Sequence, residues 1–389
     1  MTGTSFLDEK ALGDLVHFRR ELHRHPETGF DVAGTATLLA DRLRHAGLEV
    51  ATGVGGTGVV ATLHGRPGSR SIGLRADMDA LPIQEAGDPD YRSAVEGKFH
   101  GCGHDGHSAM LLGAAVYLAQ HPDFEGAVHF IFQPDEENGR GALAMIEAGL
   151  FERFPMDAIY GLHNLPGMPL ASFATRAGAM TAFEETFEIR VEGRGGHASA
   201  PERTLDPLVA GAEMVLALQS VVARAVAPGD HAVVSATEFV TDGARNIIPS
   251  TVTIRGDVRG YSDAVSAVVE RRMGEIAQGV AAAHGAGATL RYTREFEPLI
   301  NTPGQVVQAA AAANGIPGAS VDSACTPFSF SEDFAQFLRH WPGCFMVMGN
   351  GTQGAHAQSL HNPGYDFNDE ALPIGVEYWI RLVNRELGT

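Results

Sequence analysis

The sequence predicts an α/β protein: a mixed, mostly parallel sheet flanked by helices, with a smaller α+β domain of ferredoxin-like order inserted into it. Three observations predict this. Apolar strands alternate with helices toward both ends of the chain, the pattern of a mostly parallel sheet. Several of these strands run straight into polar, reactive residues, and parallel sheets bind ligands beyond the carboxyl ends of their strands. The middle of the chain changes rhythm. There Phe187, Ile189 and Val191 alternate with Glu188, Arg190 and Glu192, the period of half-exposed antiparallel strands.

The elements follow in order. Residues 7–25 have helical spacing through Leu7, Ala11, Leu15, Phe18 and Leu22, and Pro26 stops them. A second helix covers 33–46 and ends at Gly47. Short strands over 58–63 and 71–76 follow, the second leading into Asp77-Met78-Asp79. The stretch from Phe99 to His107 then places one thiol, three imidazoles and a carboxylate on an expected loop before a buried helix at 109–119. An apolar strand, 126–133, leads into Pro134-Asp135-Glu136-Glu137, and a helix covers about 140–148. The strand 158–162 leads to His163, and a late strand, 344–348, precedes a loop carrying His361.

In the middle, strands at about 187–191, 231–240, 251–259 and 288–296 alternate with helices at 207–225 and 262–283. Asp206-Pro207 and Ser262 are the helix starts. The order β-α-β-β-α-β is the split βαβ sandwich. The expected division is a catalytic domain of 1–179 with 295–389 and an inserted domain of 180–294.

Composition narrows the function classes. At 389 residues and 44% hydrophobic content the chain can bury two cores. A net charge of -19 argues against nucleic acid or an anionic membrane as partner. Cys102, Cys325 and Cys344 are the only cysteines, too few for a disulfide framework and suited to a reducing compartment. Met1 to Glu9 has no basic region followed by an apolar run, and no stretch approaches the roughly 18 apolar residues of a membrane span. The expectation is a cytoplasmic protein without membrane contact.

Cys102 and the histidines around it are borderline-soft ligands that suit zinc and its neighbours. Alone, Glu136-Glu137 reads as a solvated acidic turn. Because it ends an apolar strand, as the other candidate ligands do, one carboxylate can bind metal while the other takes a proton from water. His23, His25, His45, His121 and His284 read as ordinary histidines.

The ordered set Arg75-Ala-Asp-Met-Asp-Ala-Leu-Pro82, Cys102-Gly-His-Asp-Gly-His107, Gln133-Pro-Asp-Glu-Glu137, Gly161-Leu-His-Asn164, Gly195-Gly-His-Ala-Ser199, Asn246-Ile-Ile-Pro249, Ser331-Glu-Asp-Phe334 and His361 resembles one family along essentially the whole chain. It is that of the aminoacylase/carboxypeptidase di-metal amidohydrolases, in the branch of hippurate hydrolases, N-acyl-amino-acid amidohydrolases and auxin-conjugate hydrolases. The resemblance implies a metallopeptidase-like catalytic domain. It implies two divalent ions, zinc, manganese, cobalt or nickel, held by Cys102, His104, Glu137, His163 and His361, with Cys102 as the bridge. Asp79 then orients a ligand histidine, and Glu136 is the general base for water whose pKa the metal lowers. His197 stabilises charge on the amide oxygen, from a partner subunit in the family. Asn246 and Arg259 match substrate-binding positions. The implied substrate is a small N-acyl amino acid, and the implied assembly is a homodimer through the inserted domain. A dipeptidase or carboxypeptidase, a non-catalytic metal-binding homologue, and a cysteine hydrolase using Cys102 are the competing readings.

Overall fold

The computed structural model describes residues 6–388 and resolves two compact units. One comprises Met1–Met180, Ile300–Thr326 and Asp333–Thr389; the other comprises Thr181–Leu299 and Pro327–Glu332. Pro327–Glu332 joins the second unit because the carbonyls of Phe328 and Phe330 accept the N–H of Ala182 at 3.2 and 3.0 Å.

The first unit is built on an eight-stranded mixed sheet. Its centre is four parallel strands in the order Glu125–Gln133, Arg66–Asp77, Ala158–Pro166, Gly343–Gly351. The antiparallel hairpin of Glu49–Val54 and Gly58–His64 extends one side, and Ser172–Ala174 with Ser320–Asp322 extends the other. The central strands are buried on both faces, as their nearly unbroken apolar sequence requires. The short strands at 49–54, 172–174 and 320–322 lie outside the sequence expectation.

The helix His104–Gln120 has no polar face; most of its residues, from His104 to Leu118, are buried. It packs on the sheet and against the helices Glu9–Arg24 and Ala371–Leu387. It begins five residues earlier than its apolar run suggests. The expected loop is therefore corrected: His104, Asp105 and His107 form the helix's first turn.

The second unit is an antiparallel four-stranded sheet in the order Ala232–Thr241, Thr251–Gly260, Phe183–Glu192, Gly287–Phe296. Two helices, Pro207–Ser220 and Asp263–Ala283, cover it around a core of Phe187, Ile189, Val191, Met214, Leu218, Val269 and Met273. Asp206 and Ser262 cap these helices through the N–H groups of Leu208 and Val265. The unit has the expected β-α-β-β-α-β order. The segment Pro207–Ala225, 19 residues, is nonetheless long and apolar enough to cross a membrane by length and composition. That corrects the expectation that no stretch qualifies. Here it turns Ala210, Met214, Leu218 and Val221 onto the sheet and leaves Leu208, Val209 and Leu216 exposed.

Candidate metal centre

Four peptide segments of the first unit meet beyond the carboxyl ends of its central parallel strands. The strand Arg66–Asp77 delivers Asp77 and then Asp79. The strand Glu125–Gln133 delivers Glu136 and Glu137, and the strand Ala158–Pro166 carries His163 within its own length. The fourth segment is the turn Gly101–Gly103 with the helix behind it. Gly103 caps this helix with φ of +88°, and a Cβ there would lie 2.5 Å from the Tyr365 hydroxyl and 2.6 Å from Asn164 Oδ1. No side chain other than hydrogen fits, so the chain can pass from Cys102 to His104 in one step.

Five expected ligands converge. Cys102 Sγ lies 3.5 Å from His163 Nε2, and Glu137 Oε2 lies 3.3 Å from His361 Nε2. Glu137 Oε1 lies 3.9 Å from His104 Nε2, and ligand atoms of Cys102, Glu137 and His361 all fall within 4.8 Å of one another. His361 takes a left-handed backbone, φ of 66°, unusual for a residue with a side chain. Its N–H donates to the Gly101 carbonyl at 2.9 Å, which ties the late loop to the turn holding Cys102.

The histidine tautomers are set by their outer hydrogen bonds. His104 Nδ1 donates to the Asp79 carbonyl at 2.8 Å and His163 Nδ1 donates to the Asn164 carbonyl at 2.7 Å, so both present Nε2 to the centre. The Asp79 carboxylate accepts the N–H groups of Glu136 and Glu137 at 3.1 and 3.3 Å, so Asp79 also aims the acidic pair. His107, left open by the sequence, is buried against the His163 ring, with ligand atoms within 4.8 Å of those of Asp77, His104 and His163. Its Nδ1 donates to Asp77 Oδ1 at 2.7 Å and its Nε2 accepts the Asn164 N–H at 3.0 Å.

The residues fit a metal. His104 Nε2 and Glu137 Oε1 are buried and have no hydrogen-bond partner, which is costly unless a cation takes their lone pairs. The donor set, one thiol, three imidazoles and a carboxylate, is that of zinc and related divalent ions. Burial disfavours charge on His104, but Asp77, Asp79 and Glu137 overcome it and hold its pKa at about 10, the mark of a site that attracts positive charge. Burial, with His107 nearby, pushes His163 well below the ordinary histidine range, which keeps its lone pair available.

The remaining expected residues lie in the second unit. His197 sits on a two-residue ribbon, Gly196–His197, paired with Ile247–Ile248, and the N–H of Ala198 donates to the Asn246 carbonyl at 3.1 Å. The ribbon thus brings His197 and Asn246 together, both exposed. His197 Nδ1 accepts the Ser199 N–H at 3.2 Å and lies 2.7 Å from the Ser199 hydroxyl, which leaves the proton on Nε2. Arg259 is already engaged by Glu184 at 2.9 Å, Asp257 at 3.0 Å and the Ser331 hydroxyl at 2.8 Å.

Three groups escaped the sequence reading. His23 is fully buried between Asp105 and Glu85, not an ordinary surface histidine. Arg75 and Asp333 pair beneath the site at 3.0 Å. The available signal was a lone arginine inside an apolar strand, which in a buried sheet demands an acidic partner.

The profile of Peptidase family M20/M25/M40 matches residues 73–385. The chain belongs to this family. The M20-family chain is 39% identical to hippurate hydrolase of Campylobacter jejuni, over 96% of this chain and 97% of that protein. It is 35% identical to N-acetylcysteine deacetylase of Bacillus subtilis, over 95% of each. It is 34% identical to thermostable carboxypeptidase 2 of Saccharolobus solfataricus, over 95% of this chain and 94% of that protein. Its fold matches the crystal structure of the YXEP protein of Bacillus subtilis, a dinuclear metal-binding peptidase of the M20 family. That match has a TM-score of 0.86 at 31% identity and covers 97% and 98% of the two chains. This chain is accordingly a metal-dependent amidohydrolase of the M20 family.

Proposed function

We propose that this M20-family enzyme hydrolyses the amide bond of N-acyl amino acids, with hippurate-like compounds as substrates. Two divalent ions, zinc, manganese, cobalt or nickel, held by Cys102, His104, Glu137, His163 and His361, supply the Lewis acidity that lowers the pKa of water and polarises the amide carbonyl. Glu136 takes the proton of the attacking water and delivers it to the leaving nitrogen, so that one water yields a carboxylic acid and a free amino acid. The observation that carries this reading is the split of the Glu136-Glu137 pair. Both carboxylates lie about equally far from His104 Nε2, at 3.9 and 4.0 Å, but Glu137 alone reaches His361, at 3.3 Å, and groups with Cys102, while Glu136 Oε1 accepts the Asp333 N–H at 3.4 Å. One carboxylate is a ligand and its neighbour a base.

The His197 Nε2–H is the donor for charge on the amide oxygen, and Asn246 contacts substrate beside it. The ion pairs of Arg259 with Glu184 and Asp257 count against it as a receptor for a substrate carboxylate. A second copy of the chain covers the exposed apolar residues Leu208, Val209 and Leu216 and the edge strand with Val233, Phe239 and Val240, forming a homodimer through this unit. The three buried cysteines, none of them in a disulfide, support a cytoplasmic location.

The test is Glu136→Gln. Hippurate hydrolysis should fall roughly 10²- to 10⁴-fold while metal content stays at the wild-type level. Unchanged turnover rules the mechanism out. A carboxypeptidase or dipeptidase is the second reading, favoured by the likeness to thermostable carboxypeptidase 2. Benzoyl-, acetyl- and indoleacetyl-amino acids assayed beside dipeptides separate the two.

A further inference from the structure

We propose that Asp333 is a positioning residue for Glu136, coupled through Arg75 to the histidine wall of the centre. The inference rests on Glu136 being the base and names what holds it. Asp333 is fully buried and its carboxylate is fixed from three sides. Oδ1 accepts from Arg75 Nη2 at 3.0 Å and from Gln133 Nε2 at 2.8 Å; Oδ2 accepts from Gln133 Nε2 at 2.8 Å and from the Ala142 N–H at 3.0 Å. A side chain held at this many points fixes its own backbone, and it is the backbone N–H of Asp333 that reaches Glu136 Oε1. The donor for the base is thereby set by a carboxylate held by Arg75, Gln133 and the Ala142 N–H.

The same arginine faces the other way. Arg75 Nη1 donates to Asp77 Oδ2 at 2.7 Å, Arg75 Nε donates to Gln133 Oε1 at 2.8 Å, and Asp77 Oδ1 holds His107. Only 1% of the Arg75 side chain is exposed, so two carboxylates, one under Glu136 and one under the histidines, share a single buried cation. An isolated charge there would be costly, and removing one partner leaves the others unbalanced. The arrangement makes the position of Glu136 relative to His104 a property of one rigid, non-local network. The partners Arg75 and Asp333 stand 258 residues apart in sequence.

Asp333→Asn keeps the shape and removes the charge opposite Arg75. In the metal-loaded full-length enzyme, kcat for hippurate should fall roughly 10- to 100-fold, the scale of a small misplacement of a catalytic group. KM and metal content should stay within about twofold, since neither ligands nor substrate contacts change. In a Glu136→Gln background the same substitution should cost nothing further, because the group it positions is gone. A structural role alone would give the same loss in both backgrounds. Gln133→Met, which removes the amide clamp on Asp333 together with the acceptor of Arg75 Nε but keeps the Arg75–Asp333 pair, should lower kcat several-fold in the same sense, and it carries the test if Asp333→Asn does not fold. Wild-type kcat in Asp333→Asn beside an inactive Glu136→Gln overturns the inference alone. A loss that tracks metal content, or that persists undiminished in the Glu136→Gln background, does so too. A fully active Glu136→Gln removes the reading beneath it as well.

Discussion

His23 shows how much a single buried side chain can contribute in this fold. It lies under the first turn of the helix His104–Gln120, with Nδ1 2.9 Å from Asp105 Oδ2 and Nε2 3.3 Å from Glu85 Oε1. Around it, Arg19 pairs with Asp105, Asp366 and Asp369, so the carboxylates outnumber the cations. Burial opposes charge on His23, yet its bonds to Asp105 and Glu85 prevail and raise its pKa to about 9. The unfolded chain has an ordinary histidine near 6.5. Because the folded value is the higher one, the stabilisation is fully present below pH 6.5 and is lost as pH rises through about 9. The difference corresponds to something on the order of 3 kcal/mol. His23→Gln should therefore be less stable than the wild type at pH 6, and the gap should close toward pH 9.5 in urea unfolding. A gap independent of pH would show that His23 is neutral in the fold.

At the scale of elements, the helix His104–Gln120 sets the geometry of the centre, and its start depends on two glycines. Gly103 is left-handed against Tyr365 and Asn164, and a Cβ at Gly106 would lie 2.3 Å from the Phe367 ring. Gly106→Ala should force that ring or the helix to move. It should cost about 1–3 kcal/mol of stability, the usual scale of overpacking, and lower metal affinity as His104 shifts. Thermal unfolding and metal titration check both; wild-type affinity in a destabilised variant would separate helix position from metal binding. This helix also shows what was legible in the sequence. The apolar run 109–119 announced a buried helix, but its first turn is made of His104, Asp105, Gly106 and His107, a polar string with no helical periodicity. Tertiary partners, Asp77, Asp79, Asn164 and His23, hold the side chains of His104, Asp105 and His107 in that turn. The strands that lead to Asp77 and Glu136 were readable because burial on both faces leaves a largely apolar run. The strands 172–174 and 320–322 were not, being three residues each and defined by pairing alone. The same holds for the Arg75–Asp333 pair, whose meaning arises only when distant segments come together.

At the scale of the molecule, the two units have separate cores. One is built on the eight-stranded sheet around residues such as Phe130, Tyr160 and Trp379; the other on the four-stranded sheet around Phe187, Met214 and Met273. All five expected metal ligands belong to the first. Without a cation, that unit buries Asp77, Asp79 and Glu136 close to one another, with His104 beside them and Arg75 paired to Asp77 as the compensating positive charges. Metal binds only the folded arrangement, so by mass action it stabilises this unit by about 2.7 kcal/mol once its concentration is a hundredfold above Kd. Chelation should therefore lower the transition of the first unit by on the order of 5–10 °C in scanning calorimetry and leave that of the second unit in place. Restoring zinc or manganese should bring the first transition back, together with hydrolysis. If both transitions moved together on chelation, the units would unfold as one cooperative block. If neither moved, the five residues would not hold the ions on which the mechanism depends.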